Sequence, residues 1–478
     1  MWQPVFMISG YFISVLGVTM LFPGALDMLE NGSDWSYFVS AAIICVFIGL
    51  SLFLANNIKV KDVSVQQAYL LTFISWFAVA VLAAMPFILY GSSIPDALFE
   101  AASGISTTGA TVYADVEALP RSVLLWRALL NGLGGIGIVI FAIALMPFLG
   151  IGGMQIFQRE NSDVNEKFLP KISYIAKRII LVYGILNVLC ISALRYAGMD
   201  WFDAIAHGLS TIATGGLSTK NASIGYYNSA LIDWIVTFFM ILGAIPLTLY
   251  HSLWTTKDFH SLRAEQVKSF LKVLSVYVLF MSCWLTWNGY YTFGEALRYA
   301  AFNVTSIVTS TGFTSTDYMQ WGAFVGSFFI LFALTGGCTG STSGSIKIFR
   351  WQVLWVYVKR SFMLITEPNR IVTMKIGHSL LSNQVVASVL VFFVAYLFSV
   401  MFLTLLVALT GEDFEVSFSA VVACITNSGP GIGPIVGPAG NYGSLADTAK
   451  LVLAFAMLLG RLEVLTVLLV FTRGFWKK

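Results

Sequence analysis

Charge is the scarcest property of this chain. Only 11% of its 478 residues are Asp, Glu, Lys or Arg, while 58% are hydrophobic. A soluble domain carries about 25% charged residues. A soluble fold has no room to hide so much apolar surface, so a bilayer is the expected solvent. Histidine is as rare. His207, His251, His260 and His378 fall in no metal-ligand spacing. The five cysteines (Cys45, Cys190, Cys283, Cys338 and Cys424) are scattered, odd in number and without a CxxC pair. That pattern supports neither a disulfide framework nor a zinc site. No basic block stands out: the net charge is +3 and is spread over several segments, so nucleic acid is not an expected partner. No Ser/His/Asp or paired-carboxylate constellation stands out either, so the chain is not read as an enzyme. An intramembrane enzyme would cluster His, Asp and Ser at membrane depth. The first apolar segment lacks a basic n-region and a small-residue cleavage site, and it reads as a retained span.

Long apolar runs are what the chain has in abundance. A hydrocarbon core of about 30 Å needs roughly 20 apolar residues as a helix. Segments 3–24, 36–55, 67–90, 122–149, 173–196, 230–252, 267–288, 383–410 and 446–472 meet this, and 322–366 reads as one broken span. The expected fold is therefore an all-α polytopic membrane protein with ten transmembrane helices. Its basic residues cluster in five segments. These hold Lys59 and Lys61; Arg159, Lys167, Lys171, Lys177 and Arg178; Lys257, Arg263, Lys268 and Lys272; Lys347, Arg350, Lys359, Arg360, Arg370 and Lys375; and Arg473, Lys477 and Lys478. Together they hold 20 of the 27 basic residues. The positive-inside rule puts these segments, and the C-terminus, in the cytoplasm.

Between the spans a short motif recurs. Thr107-Thr108-Gly109, Ala213-Thr214-Gly215, Ser310-Thr311-Gly312 and Asn427-Ser428-Gly429 each follow a short helix-like run. Their glycines are 106, 97 and 117 residues apart. Asp96, Asp203, Glu295 and Glu415 stand 13, 12, 17 and 14 residues before them. The charge map sends all four turns to the outer side. Any one of them reads as a helix C-cap; four at matching places predict re-entrant segments around a pore with four-fold pseudosymmetry. The organisation is then a leading helix pair (1–56) and four helix–pore loop–helix repeats (67–150, 171–253, 266–366 and 383–473). A bundle of ten helices without pore segments is the competing reading, since Gly and Thr are common where membrane helices pack.

The turns carry the expected chemistry. Glycine backbones present carbonyls toward an axis and replace the water of a cation. Short helices ending there point their negative dipole ends at it. No turn carries Asp or Glu, which argues for a monovalent ion. Two further features are expected below the turns. The stretch from Thr335 to Ser345 has glycines at Gly336, Gly337, Gly340 and Gly344, with Ser and Thr filling most other positions. A helix is disfavoured there, so residues 335–345 read as an intramembrane loop able to obstruct the path. Arg461 lies 15 residues into segment 446–472. A charge at that depth costs at least about 2.5 kcal/mol, so it faces a pore or a partner. Glu463 sits about 200° away around an ideal helix, and an ion pair with another helix is the alternative. The GxGxxG pattern at Gly132–Gly137 has no preceding strand and reads as helix packing. His207, eight residues before Gly215, reads as a packing residue.

These motifs resemble the Trk/Ktr/HKT superfamily of potassium transporters, most of all the bacterial TrkH/TrkG-type membrane subunits. The resemblance spans essentially the whole chain, leading helix pair included. It rests on residues 106–111, 211–216, 309–313 and 426–431. It also rests on the run from Trp126 to Gly153, with Gly134-Gly135-Ile136-Gly137 and Gly150-Ile151-Gly152-Gly153-Met154-Gln155. It implies potassium uptake across a bacterial inner membrane, with K+ at the four turns as the transported ligand and no covalent cofactor. A gating loop at 335–345 and an arginine facing the ion path at Arg461 are implied as well. So are a homodimer in membrane lipid and a cytosolic TrkA-type nucleotide-binding regulatory subunit. A glycine in every repeat goes with potassium preference in that family. The unequal neighbours Ala110, Gly216, Phe313 and Pro430 predict looser selectivity than a full Thr-Val-Gly-Tyr-Gly filter, with some sodium permeation. Symport of K+ with H+ or Na+ is the alternative.

Overall fold

The computed structural model describes residues 2–56, 64–145, 168–256, 265–377 and 379–476. The expectations on Lys59, Lys61, Arg159, Lys167, Lys257, His260, Arg263, His378, Lys477, Lys478 and the run Gly150–Gln155 lie outside these residues.

Two leading helices, Gln3–Leu29 and Trp35–Ala55, pack through small residues. A Cβ on Gly10 would lie 2.6 Å from the Gly49 carbonyl oxygen, and one on Gly17 would lie 2.9 Å from the Cys45 Cβ. Close backbone approach of this kind replaces the hydrophobic drive that lipid cannot supply. Asp27, near the end of the first helix, accepts from the Asp34 and Trp35 amides at 2.8 Å and so covers free donors at the start of the second. Ser9 bonds Ser75 at 2.8 Å, tying the pair to the first repeat.

Four units of one plan follow. Each has a first helix, a short pore helix and a second helical segment. The first helices are Val65–Ala83, Phe168–Tyr196, Glu265–Trp287 and Asn383–Ala408. The pore helices are Ile94–Ile105, Trp201–Ile212, Phe293–Val308 and Phe414–Ile425. They start with signals the sequence carries. Ser93 accepts from the Asp96 amide, Asp200 from the Phe202 amide, and Thr292 with Glu295 forms a capping box. A two-stranded hairpin, Lys375–Ile376 with Ser379–Leu380, precedes the last unit.

The second segments differ most from expectation. In the first unit Arg121–Leu145 is continuous. The segment expected as one span at 230–252 is Ala230–Gly243 and Leu247–Thr256, interrupted before Pro246. A proline has no amide to continue the ladder. The segment at 322–366 is Ala323–Leu334 and Ile348–Thr366, with residues 335–347 between them. The segment at 446–472 is not one continuous helix either. Asp447–Arg461 and Val464–Val470 meet at 109°, with Glu463 at φ 64° in the bend. Among the described residues seven helices are long and apolar enough to cross a membrane, or eight if the bent pair is one span. The expected ten are reached only by counting the broken segments as spans.

Ion pairs brace the pore helices. Glu100 and Arg127 are fully buried and 2.6 Å apart. Arg127 also donates to the Ser218 carbonyl of the second unit at 3.0 Å. Arg298 on the third pore helix meets Asp233 of the second unit at 2.7 Å, and Lys450 of the fourth meets Asp96 on the first pore helix at 2.7 Å. Removing one partner of a buried pair leaves an uncompensated charge, a loss of about 3–5 kcal/mol. Arg127→Met is therefore expected to lower the melting temperature of the detergent-solubilised protein sharply. Arg127→Met with Glu100→Met is expected to recover much of the loss. Equal melting of the single variant and the intact protein would remove this brace.

Candidate ion path

The four turns after the pore helices are buried, apart from the half-buried Gly109 and Gly312, and form a closed ring. Each turn holds two residues in the left-handed region: Thr107 and Gly109, Thr214 and Gly216, Ser310 and Gly312, Asn427 and Gly429. A Cβ on Gly109, Gly216, Gly312 or Gly429 would come within 2.6 Å of a carbonyl oxygen of the next turn. Those carbonyls belong to Gly215, Thr311, Ser428 and Thr108 respectively. The fourth turn thus closes onto the first. Positive φ and the absence of space coincide at these glycines, so a side chain is excluded twice over.

This ring corrects the register of the second repeat. The sequence pattern aligns Ala213-Thr214-Gly215 with the other turns, but Thr214-Gly215-Gly216 occupies their place. Ala213 is the helix C-cap, as are Ser106, Thr309 and Thr426. The amides of Thr107, Thr214, Ser310 and Asn427 bond the matching helix carbonyls of Gly104, Thr211, Ile307 and Cys424. Thr214-Gly215 imitates the Thr-Gly pair one residue early, and only backbone angles tell the two frames apart. Ser or Thr therefore precedes the ring glycine in three repeats, not four.

Side chains behind the turns fix their shape. Ser106 bonds Thr108 at 2.6 Å, Thr309 bonds Thr311 at 2.8 Å, and Thr426 bonds Ser428 at 2.9 Å. Asn427 reaches across to Thr108 Oγ1 and to the Met457 carbonyl, both at 2.9 Å. Tyr442 donates to the Gly429 carbonyl at 2.8 Å. Glycines of the second helices let them approach the pore-helix ends: a Cβ on Gly134, Gly243 or Gly460 would lie within 2.9 Å of the Ile105, Ile212 or Ile425 carbonyl oxygen. That is the role of the GxGxxG-like run. His207 is buried between the Asp203 carbonyl at 2.8 Å and Ser218 Oγ at 2.9 Å.

The residues from Thr335 to Ser345 form a loop whose neck is tied by Gly336 N donating to the Ile346 carbonyl and Ile348 N to the Gly337 carbonyl. Its tip rests against three of the four turns. Thr342 Oγ1 donates to the Ile212 carbonyl at 2.9 Å and lies 3.3 Å from Thr214 Oγ1. Gly344 N donates to Ser310 Oγ at 2.5 Å. A Cβ on Gly344 would lie 2.7 Å from the Thr426 carbonyl oxygen. The loop also fills the break in the second unit. Cys338 N donates to the Ala244 carbonyl, Thr342 N to the Gly243 carbonyl, and Leu247 N to the carbonyl of Gly340, which has φ 83°.

Arg461 is buried, but at the end of its helix and not midway along a continuous span, because the chain bends directly after it. Its partner is a carbonyl, not a carboxylate: Nη1 donates to Thr342 O at 2.8 Å. Its Nε and Nη2 have no partner among the described residues. Glu463 pairs instead with Arg350 at 2.7 Å. The Arg350 guanidinium lies 3.8 Å from the Phe392 ring centroid. Lys347 Nζ donates to the Ser343 carbonyl. Arg461, Lys347, Arg350 and Glu463 line a cavity of about 80 Å³ beside the loop.

The family model described as TrkH, cation transport protein, matches residues 36–477. The chain belongs to the TrkH family. It is 34% identical to the Trk system potassium uptake protein TrkI of Halomonas elongata, over 100% of this chain and 97% of the relative. It is 33% identical to the Trk system potassium uptake protein TrkH of Escherichia coli K12, over 98% of each. The crystal structure of the potassium transporter TrkH from Vibrio parahaemolyticus superposes on it with a TM-score of 0.93, at 31% identity over the whole of both chains.

In this TrkH-family chain, sequence reasoning singled out Arg461 and the loop but missed Gly216, Lys347 and the Arg350–Glu463 pair. Gly216 had a signal, the second glycine of Gly215-Gly216. The ion pair had none, since its partners are 113 residues apart. Gly216→Ala is expected to lose cation uptake as completely as Gly312→Ala at matched membrane expression. Uptake equal to that of the intact protein would remove Gly216 from the ring.

Proposed function

We propose that this chain carries potassium into a bacterial cell across the inner membrane, through the ring of four turns. The observation that carries the reading is the closure of that ring, with carbonyls of Thr108, Gly215, Thr311 and Ser428 at equivalent places. The relatives above, named for potassium uptake, support the choice of ion. In this reading Thr107, Thr108, Gly109, Ala213, Thr214, Gly215, Ser310, Thr311, Gly312, Asn427, Ser428 and Gly429 make up the filter and its flanks, joined by Gly216. A set of carbonyls without a carboxylate suits a monovalent cation that sheds its water. The membrane potential drives entry with about 2.3 kcal/mol per charge per 100 mV.

Loop 335–345 is the gate, and Gly336, Gly337, Gly340 and Gly344 are its pliable points. Arg461 holds the loop closed through the Thr342 carbonyl and repels cations arriving from the turns. The four units span 67–150, 171–253, 266–366 and 383–473, behind the leading pair 1–56, with the C-terminus in the cytoplasm. The protein works as a homodimer, and a cytosolic TrkA-type nucleotide-binding subunit acts on the loop through the basic cytoplasmic segments. Symport is the second reading. Glu463, which lines the cavity beside the loop, is its candidate proton carrier, although Arg350 already neutralises it.

In a potassium-uptake-deficient bacterium supplied with the partner subunit, the intact chain is expected to restore growth at low potassium, and Gly312→Ser is not. Failure of the well-expressed intact chain to restore growth would overturn the reading. Arg461→Ala is expected to raise flux at matched expression, and unchanged flux would remove Arg461 from the gate. Potassium flux that is independent of external pH and sodium is expected; a strict requirement for either would replace the channel reading by symport.

A further inference from the structure

The second turn lacks something its three counterparts share. In the first, third and fourth turns the C-cap hydroxyl bonds the hydroxyl two residues later: Ser106 with Thr108, Thr309 with Thr311, Thr426 with Ser428. The second turn has Ala213 and Gly215 at these places, so both members of the pair are missing together. Gly215 is also not among the glycines with positive φ. Its backbone does not require glycine, and the reason for glycine must be space.

That space is occupied by Asn131, from the second helix of the first unit. A Cβ on Gly215 would lie 2.5 Å from Asn131 Cγ, 2.6 Å from Nδ2 and 2.9 Å from Oδ1. The carboxamide therefore stands where the side chain of residue 215 would be. Asn131 is fully buried. Its Nδ2 donates to Ser210 Oγ, on the second pore helix, at 3.1 Å. Its Oδ1 has no partner among the described residues. Burying an amide costs free energy unless it is bonded, so an asparagine here needs a purpose. The neighbouring units sharpen the contrast. Counting back three residues from the close-packed glycines Gly134, Gly243 and Gly460 gives Asn131, Met240 and Met457. Both methionines are fully buried. Of these three positions, the polar one stands beside the turn that lacks the hydroxyl pair.

We infer that Asn131 is a positioning residue of the second turn, a polar brace lent by the first unit in place of the missing hydroxyl pair, and that it sets the potassium-over-sodium preference. The inference rests on the reading of the turns as a filter. In the size-fit account of filters, a ring of four carbonyl sets discriminates between ions of different size when all four are held at one radius. Three turns are held by their own hydroxyls, and the second is held from behind by the Asn131 carboxamide.

The test is a set of full-length variants in the potassium-uptake-deficient strain with the partner subunit, reading the ratio of rubidium to sodium tracer uptake. Asn131→Ala is expected to lower the ratio roughly fivefold, the scale of losing one buried hydrogen-bonded brace. Ala213→Ser with Gly215→Ser, made while Asn131 is kept, is expected to lower it too, because the new side chain collides with the carboxamide. The three changes together are expected to return the ratio to within about twofold of the intact protein, a reversal of sign that only residues sharing one space produce. An unchanged ratio in Asn131→Ala, with uptake intact, would overturn the inference. So would a triple variant no better than Ala213→Ser with Gly215→Ser. The latter comparison decides alone if Asn131→Ala does not reach the membrane. An intact protein without any preference for rubidium would take down the filter reading itself, and this inference with it.

Discussion

A backbone group at membrane depth has no water to bond, and everything distinctive in this protein answers to that constraint. Three of the four second segments are broken, and each break frees amides and carbonyls. The loop after Leu334 bonds the freed carbonyls of Gly243 and Ala244, and its own Gly340 carbonyl takes the Leu247 amide. Its tip takes further partners from the pore-helix end at Ile212 and from Ser310. Arg461 adds its donor to the Thr342 carbonyl. Broken helix, loop and turns therefore form one hydrogen-bonded body. Displacing the loop would strand several polar groups at once unless water followed it in.

The end of the structure where the pore helices start is built on charge. Pairs join Glu100 to Arg127, Arg298 to Asp233 and Lys450 to Asp96. Two of the three cross between units. They set the pore helices at fixed heights, which the dispersive packing of apolar helices specifies poorly. They also neutralise Asp96 and Glu100 on the first pore helix and Asp233 beside the third.

Much of this was legible in the chain. Scarce charge and long apolar runs gave the membrane class, and the spacing of Gly109, Gly312 and Gly429 gave three of the four turns in register. The loop was legible because four glycines in eleven positions cannot sustain a helix. The second turn was misread by one residue because Thr214-Gly215 satisfies the same local pattern as Thr108-Gly109; the difference lies in φ, which a dipeptide does not reveal. The bend after Arg461 was hidden by an unbroken apolar run, with no proline to mark it. Pro246 marks the break in the second unit, inside an apolar run long enough to read as one span. The Arg350–Glu463 pair depends on the bend, and a straight-helix assumption sends Glu463 elsewhere.

The ring also has a genetic consequence. A pore built from four identical subunits changes in all four quadrants with each codon, so an alteration must be tolerable four times over. Here one chain encodes every quadrant separately. The second turn lacks the hydroxyl pair that the other three carry, and Asn131 of the first unit stands against its Gly215. With all four units in one chain, a substitution alters one turn and leaves the other three as they are.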